Sequence, residues 1–195
     1  SVPEKKSILK KIVKKDKKSK ILIVARFDKQ KNHMLLIKSL KNMKRLDNWE
    51  LHFAGEGPLL KQMIDYVNYL ELEKNISFLG FNSEVDKLYK NYDIFVLTSN
   101  WEGFPITTIE AMRASLPVIV TDVGGSSEAV INGFNGYVIP PNNQQQLTFS
   151  LEKLINSKKL QKELGANSYS MYLKLFSYNV FYNKTKNIIN NLLEK

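Results

Sequence analysis

Short apolar runs alternate with stretches of helical periodicity along most of this chain, and this alternation constrains the fold more than any other feature. The runs KILIVA, DIFVL and PVIVT are rich in β-branched residues, as expected of strands buried on both faces of a parallel sheet. Strands that alternate with helices form β–α–β units. The sequence therefore predicts an α/β fold, a single doubly wound parallel sheet with helices on both faces. We expect about six strands, at 20–25, 49–54, 76–79, 93–97, 117–121 and 137–139.

Helices are expected between these strands and throughout the tail. The predicted segments are 33–46, 59–70, 83–91 with Ser83 as its cap, 105–114, and a short helix at 124–131. From Asn142 onward the pattern predicts a helical C-terminal tail in three pieces, at 144–156, 158–175 and 178–193. No repeat and no break in composition follows Lys20. We therefore predict one domain over 20–195, behind an arm at 1–19.

The composition suits a globular protein and excludes several classes. Of the 195 residues 43% are hydrophobic, which is too many for a disordered chain. Cysteine is absent, which excludes a disulfide framework and thiolate catalysis. The longest apolar run, 21–25, is too short to span a bilayer, and no secretory leader is visible. We expect a cytoplasmic location.

Most of the net charge of +10 lies at the front of the chain. Residues 1–20 contain nine lysines and only two acidic residues. This lysine-rich arm is either a solvated linker or a surface that contacts nucleic acid or the anionic inner face of a membrane. Arginine, the residue best suited to reading bases, occurs only as Arg26, Arg45 and Arg113. Peripheral membrane contact is therefore kept open, and nucleic-acid binding is not expected.

The loops that follow the strands are the expected place for a site, because ligands of doubly wound sheets bind beyond the carboxyl ends of the strands. Arg26 and Lys31 follow the first strand, and two cations in such a loop suit a phosphate or a diphosphate. Surface cations are common in this chain, so the pair alone is weak evidence.

The loop at 98–105 gives a sharper signal, because it leads from a core strand into a helix. Pro105 suits the first helical turn, and the free amides of Ile106, Thr107 and Thr108 would form an anion site. Gly103 lets a ligand approach the main chain. The sequence thus predicts that a negatively charged group binds in front of this loop.

Two glutamates accompany this loop, eight positions apart. Glu102 stands just outside the predicted helix and Glu110 within it, among apolar neighbours. A buried carboxylate needs hydrogen-bond donors, and ribose hydroxyls would provide them. Glu110 could instead face solvent or pair with Arg113, three positions on.

Five strings carry a resemblance to a known family. They are VARFDKQKN (24–32), FAGEGP (53–58), FLG (78–80), EGFPITTIEAM (102–112) and LPVIVTDVGGSSE (116–128). In this order they resemble the blocks of the family 4 retaining glycosyltransferases, which have the GT-B fold. The similarity covers about residues 20–140, the Rossmann-like, donor-binding carboxyl-terminal half of that fold.

The resemblance implies a role for each matching residue. Arg26 and Lys31 would hold the diphosphate of a nucleotide-diphosphate sugar and stabilise it as the leaving group. Glu102 would contact hydroxyls of the transferred sugar, and Glu110 the ribose hydroxyls. Further contacts are implied with sugar and phosphate, for Gly103, Phe104, Pro105, Ile106 and Thr107, and with the base, for Gly80, Phe81 and Asn82.

The chain departs from the family pattern in three ways. Ala25 and Asn32 stand where the pattern has glycine, which bears on the geometry of the first loop. The resemblance covers no amino-terminal Rossmann domain, which would bind the acceptor, so we expect the chain to be an excised domain or a natural half-protein. In the family, the last segment, 176–195, crosses back toward that domain.

No metal or other cofactor is expected. The sequence has no Asp-x-Asp pair, and His33 and His52, the only histidines, are predicted to be structural. The resemblance implies transfer of a sugar from a UDP or GDP sugar to a glycan or glycolipid, in surface polysaccharide synthesis. A non-catalytic nucleotide-sugar-binding module that acts with a partner is the alternative.

Overall fold

The computed structural model describes residues 18–43 and 48–193. Its centre is a six-stranded parallel sheet in the order β3-β2-β1-β4-β5-β6. The strands are β1 Ser19–Val24, β2 Trp49–Ala54, β3 Ile76–Phe78, β4 Ile94–Leu97, β5 Val118–Thr121 and β6 Gly136–Ile139. The predicted doubly wound α/β sheet is thereby confirmed. Most of the predicted arm lies outside the described residues, and Ser19, its last residue, is the buried first residue of β1.

The strand order reverses between β1 and β4. Ile21 of β1 pairs with Ile94 of β4, and Leu22 with Phe95, while β2 lies on the other side of β1. The loops at 25–32 and 98–105 leave the carboxyl ends of these two adjacent strands. A crevice at this switch point is where a ligand is expected in such a sheet.

The helices follow the predicted order with small differences. They are α1 His33–Lys41, α2 Leu60–Tyr69, α3 Val85–Tyr89, α4 Ile106–Arg113, α5 Gln144–Ile155, α6 Lys158–Met171 and α7 Tyr178–Leu193. The segment predicted as a helix at 124–131 is a 3₁₀-helix, Gly124–Ala129, and a π-helical turn, Tyr172–Phe176, follows α6. Ser83 is not the cap of α3, because the helix begins one residue later than predicted: Glu84 is in the cap position and makes no side-chain cap bond.

The core lies on both faces of the sheet, as the apolar runs predicted. Every residue of β4 and β5 is buried, and β1 has no exposed residue. Burying one large aliphatic side chain stabilises a fold by roughly 1.5–3 kcal/mol. Phe95 lies in β4 at the centre of this core with no exposed surface. The strands therefore form a rigid support for the loops at their carboxyl ends.

The helical C-terminal tail is confirmed, and its last helix is mostly exposed. The helix α7 contacts the π-helical turn, yet Phe181, Ile188 and Leu192 are 67%, 61% and 68% exposed. Among the residues that the structure describes, none belongs to a helix that is both long and apolar enough to cross a membrane. The tail thus presents an apolar face that the described part of the chain leaves uncovered.

Candidate functional site

Hydrogen bonds join the loop after β1 to the loop after β4. The Asn100 amide donates to the Gln30 carbonyl at 2.7 Å, and its side chain donates to the Lys29 carbonyl at 2.7 Å. Thr98 Oγ1 is 3.1 Å from the carbonyl oxygens of Lys31 and Asn32. These bonds hold the two loops as one unit, so the side chains that they carry are preorganised.

Lys31 and Glu102 meet at the centre of this unit. Lys31 Nζ lies 2.5 Å from Glu102 Oε1, and the two side chains are 19% and 6% exposed. Ser99 Oγ donates to the same oxygen at 2.6 Å, and Gln30 Nε2 lies 3.4 Å from Glu102 Oε2. Charge-assisted bonds of this kind are the stronger ones, and together they hold the Glu102 carboxylate in one orientation. We call these four residues the Lys31–Glu102 cluster.

Ser99 and Gln30 were missed by the sequence analysis. Ser99 lies three residues before Glu102 in the same loop, a spacing that could have marked it as a partner. Gln30 comes from the loop after β1, and nothing in the sequence indicates that it reaches Glu102. Only the pairing of β1 with β4 brings that loop into range.

Arg26 lies outside this cluster. Its side chain is 71% exposed, and its Nε is 4.0 Å from Asp28 Oδ2. An exposed pair at this distance contributes little to stability. The guanidinium is therefore free to turn toward a ligand at the rim, whereas Lys31 is already fixed next to Glu102.

Asn32 explains one departure from the family pattern. Its φ is 45°, the left-handed region where glycine is usual and where asparagine is tolerated better than most residues. Its side chain accepts the Leu35 amide at the start of α1 and donates to Asn100 and Asn142 at 3.0 and 2.9 Å. The asparagine thus keeps the backbone turn and adds contacts that a glycine would lack. Ala25 also keeps a regular bond, from its amide to the Ala54 carbonyl.

The glycine pair after β5 packs directly against the loop of Glu102. A Cβ atom at Gly124 would stand 1.8 Å from the Glu102 carbonyl oxygen, and Gly124 has φ +51°. The Gly125 amide donates to the Gly103 carbonyl at 2.7 Å. Only a glycine permits this approach, which supports the Glu102 backbone from the side of the 3₁₀-helix.

The first turn of α4 differs from the prediction by one residue. Pro105 is buried and extended, and it precedes the helix instead of occupying its first position. The Thr108 amide donates to the Pro105 carbonyl, so it is not available to an anion as predicted. Ile106 and Thr107 open the helix and contribute the positive end of its dipole.

Open space lies in front of this turn. A Cβ atom at Gly103 would meet nothing within 4 Å. Phe104 is 43% exposed and packs against Phe176 at a ring distance of 5.7 Å, which ties the loop to the tail. A ligand can therefore reach the backbone of 103–107 from the side of the crevice.

Glu110 accepts a hydrogen bond from Tyr89 that the sequence analysis did not predict. Tyr89 donates from its hydroxyl to Glu110 Oε2 at 3.0 Å, and burial, reinforced by the Glu110 charge, holds the pKa of Tyr89 well above its usual range. Arg113 pairs with Asp86 and not with Glu110, which corrects that alternative. Glu110 is partly exposed and lines a groove of about 530 Å³ with Tyr172. It remains open to a ligand on one side.

The turn after β3 holds the three residues expected near a base. Gly80 has φ +68°, and its carbonyl accepts the Gly55 amide at 2.8 Å. Phe81 is 76% exposed. The Asn82 side chain is engaged with the Glu84 amide, so its backbone and the Phe81 ring are the groups that face outward.

The histidines are packed as the sequence analysis expected. His33 stacks on Phe27 at 4.2 Å, and burial lowers the pKa of His33 to about 4. His52 Nδ1 lies 2.6 Å from the Tyr92 hydroxyl, and partial burial lowers the pKa of His52. In the part of the chain that the structure describes, no three His, Asp or Glu side chains form a metal-binding group. Operation without a metal stays a prediction.

The sequence matches known proteins over most of its length. A family model described as glycosyl transferases group 1 matches residues 4–171. An uncharacterized glycosyltransferase of Methanocaldococcus jannaschii is 35% identical over 159 residues, 80% of this chain and 44% of the relative. The N-acetylgalactosamine-N,N'-diacetylbacillosaminyl-diphospho-undecaprenol 4-alpha-N-acetylgalactosaminyltransferase of Campylobacter jejuni is 32% identical over 143 residues, covering 73% and 39%.

Comparison with solved structures supports the fold. Anabaena HepE in complex with UDP superposes with a TM-score of 0.83 at 21% identity, over 89% of this chain and 49% of that one. The chain spans under half the length of the curated relatives that it matches, for example 45% and 44% of two from M. jannaschii. It is therefore similar to one half of a longer protein.

Proposed function

Since the chain belongs to the group 1 glycosyltransferases, we propose that it is the donor-binding half of a retaining glycosyltransferase. In this proposal it binds a nucleotide-diphosphate sugar, and the sugar passes to a glycan or glycolipid acceptor. The observation that carries the proposal is the Lys31–Glu102 cluster at the strand switch point, beside the open first turn of α4. It combines a cation for a phosphate with a fixed carboxylate for sugar hydroxyls.

Lys31 is the central group for the leaving diphosphate. As the bond to the sugar breaks, negative charge grows on the diphosphate, and a preorganised cation stabilises it. Lys31 is held in place by Glu102, so it needs no reorganisation to meet a phosphate oxygen. Arg26 would close over the same phosphates from the rim, and the first turn of α4 adds its dipole.

This set of cations favours a reaction without a metal. Two positive side chains and a helix amino end can neutralise a diphosphate as a divalent ion does. The sugar itself would be held by Glu102, whose carboxylate accepts from Ser99 and can also accept from hydroxyls. Retention of configuration rests on the family resemblance and belongs to the proposal.

Glu110 and the turn after β3 would hold the nucleoside. The Glu110 carboxylate has one oxygen bonded to Tyr89 and retains acceptor capacity for the two ribose hydroxyls. The Phe81 ring is exposed in the turn after β3, and a base could stack on it there. HepE was crystallised with UDP, which favours uridine as the base.

The acceptor side is proposed to come mainly from a second domain. Positioning the acceptor can supply about 7–11 kcal/mol of the barrier to transfer. The relatives are about twice as long as this chain. The C. jejuni relative is named for a sugar linked to diphospho-undecaprenol, which is a glycolipid. We propose a similar glycolipid or surface-polysaccharide acceptor, met at the cytoplasmic face of a membrane, with the lysine-rich arm as the peripheral contact.

Sugar transfer tests this proposal. The 195-residue chain alone should bind donor and transfer nothing above background, and transfer should appear when an amino-terminal domain of a group 1 relative is supplied. Efficient transfer by the chain alone would contradict the half-enzyme assignment. Donor binding without transfer in any combination would favour the alternative, a non-catalytic nucleotide-sugar-binding module.

A further inference from the structure

A separate cavity of about 430 Å³ lies between the amino ends of α1 and α2. It is lined by residues of the loop after β1, by Leu59 and Gln62, and by Trp101. Its volume falls within the range of roughly 300–1,000 Å³ that small-molecule sites have. Its lining contains neither Lys31, Glu102 nor Glu110, so the proposed donor site does not account for it.

The cavity has one apolar side and one polar side. Leu59, Met34 and Met63 supply apolar surface, whereas Asp28 and Gln62 supply a carboxylate and an amide. A pyranose ring has the same two-sided character, with C–H groups on its faces and hydroxyls around its rim. The lining therefore matches a sugar better than it matches a wholly apolar or a wholly charged ligand.

Trp101 gives the cavity a stacking surface. The side chain is 56% exposed, although tryptophan is among the most costly side chains to leave in water. Its backbone is fixed, because Gln30 Nε2 donates to the Trp101 carbonyl at 2.9 Å. An aromatic ring on a rigid loop is well suited to cover a sugar face.

His33 supplies a polar atom that lacks a partner. The residue is 2% exposed and lines the cavity, and within the described residues its Nε2 has no hydrogen-bond partner. Burial lowers the pKa of His33 to about 4, so the ring is neutral at pH 7. Unpaired buried nitrogens are rare and call for a ligand or a water. The nitrogen has almost no accessible surface, so a sugar hydroxyl reaches it only when the cavity wall moves aside, and the hydroxyl, which donates or accepts, then satisfies either tautomer.

The cavity lies next to the Lys31–Glu102 cluster, because neighbouring residues of the same loops line both of them. Trp101 and Glu102 are consecutive, and the Gln30 side chain contacts both of them. Asp28, on the cavity wall, accepts the backbone amide of Lys31 at 3.1 Å. A sugar in the cavity would thus lie next to the residues proposed to hold the donor sugar.

We propose that this cavity is a pyranose subsite for the acceptor, with Trp101 against the ring and His33, Gln62 and Asp28 as hydroxyl partners. The acceptor assignment rests on the proposed function, whereas sugar binding in the cavity does not. The carboxyl-terminal half then contributes to acceptor recognition in addition to donor binding.

The two tryptophans provide the reporter for a test. Trp49 is fully buried and Trp101 is exposed, so the ¹⁵N-labelled chain has two indole N–H signals, which Trp101→Phe assigns. Methyl α-D-glucopyranoside, methyl α-D-galactopyranoside and methyl N-acetyl-α-D-glucosaminide are the probes, at up to about 100 mM. At least one of them should shift the Trp101 signal and leave that of Trp49 in place. No shift with any probe would overturn the proposal.

Variants separate the cavity from unspecific contact. Gln62→Ala and His33→Phe should weaken the binding of the active probe by about fivefold or more, since each removes a hydroxyl partner. Gln145→Ala removes an exposed glutamine on α5 and should change nothing. Because Gln62 is exposed, its variant keeps the test valid if His33→Phe does not fold. Unchanged binding by Gln62→Ala would contradict the assignment.

Competition identifies which sugar the cavity takes. Saturating UDP and UDP-glucose should leave the probe bound, because the donor occupies the Lys31–Glu102 side. Displacement by UDP-glucose and not by UDP would mean that the transferred sugar fills the cavity, and would overturn the acceptor assignment. A chain that binds the pyranoside and no nucleotide would contradict the proposed donor function while the sugar site stands.

Discussion

Lys31 Nζ lies 2.5 Å from Glu102 Oε1, although the two residues are 71 positions apart in the chain. The contact forms because β1 and β4 are neighbours at the switch point of the sheet, so that their loops meet. The sequence analysis assigned Lys31 to the diphosphate and Glu102 to the sugar. Their contact links the two roles: the cation can neutralise the leaving group while it orients the carboxylate that holds the sugar.

Glu110→Gln should weaken the binding of UDP by about tenfold and leave the binding of inorganic diphosphate almost unchanged. The reason is that only UDP contains a ribose, and the variant replaces the charged carboxylate that would accept hydrogen bonds from the ribose hydroxyls. Isothermal titration calorimetry with both ligands measures the two effects. An equal loss for UDP and inorganic diphosphate would show that Glu110 supports α4 and does not contact ribose.

Chelation should not affect the binding of UDP or UDP-glucose. The proposed diphosphate site consists of Lys31, Arg26 and the first turn of α4, and these groups need no bridging ion. Calorimetric titrations with EDTA and with added Mg²⁺ should give the same dissociation constant. A strict requirement for Mg²⁺ would contradict the metal-independent assignment.

The stability of the chain should fall between pH 6.5 and pH 4. Burial lowers the pKa of His33 from 6.5 to about 4, so the folded state resists a proton that the unfolded state takes up. Above pH 6.5 His33 is neutral in both states and does not reduce the free energy of unfolding. As the pH falls from 6.5 to 4, the unfolded state gains a proton that the folded state does not, and the free energy of unfolding decreases. The loss amounts to about 3 kcal/mol.

Urea unfolding at a series of pH values measures this effect. His33→Phe keeps the stacking on Phe27 and should make the pH profile flatter over the same window. His52 contributes in the same direction, because its pKa is lowered too. A profile that His33→Phe leaves as steep as before would show that other groups set the acid sensitivity.

The apolar face of α7 should cause the isolated chain to self-associate. Ile188 and Leu192 lie one turn apart and are 61% and 68% exposed. The double variant Ile188→Gln/Leu192→Gln should shift the sedimentation profile toward monomer, whereas Asn191→Gln on the same helix should not. A wild-type chain that is monomeric at every concentration would contradict this prediction.

The sheet could be predicted from the sequence because each strand is formed by a short apolar run that can be recognised locally. In the run DIFVL, the four apolar residues form β4 and are all buried, so periodicity and composition were sufficient to predict this strand. The helix ends were predicted less well, since they depend on single hydrogen bonds. Ser83 has the usual chemistry of a cap, yet Glu84 is in the cap position of α3 and makes no side-chain cap bond.

The sequence predicted those site residues that lie together in one loop or that match a motif of the family. Glu102 and Glu110 share a recognisable spacing, and Lys31 follows β1. The Gln30 contact with Glu102 and the Tyr89 bond to Glu110 join segments far apart in the chain, and no local pattern contains them. The Arg113–Asp86 pair, which replaces the Glu110–Arg113 alternative, was missed for the same reason, because Asp86 comes from α3.

Calorimetric titration of UDP into the chain and its Lys31 variant tests the central claim most directly. Wild type should bind UDP at one site, and Lys31→Ala should lower the affinity about 10- to 150-fold, the cost of one charge-assisted bond. Arg26→Ala should also weaken binding. Lys29→Ala, which removes an exposed lysine of the same loop, is the matched control and should bind like wild type. The account would be contradicted if the wild-type chain bound no UDP. It would also be contradicted if Lys31→Ala and Arg26→Ala both bound UDP as tightly as wild type.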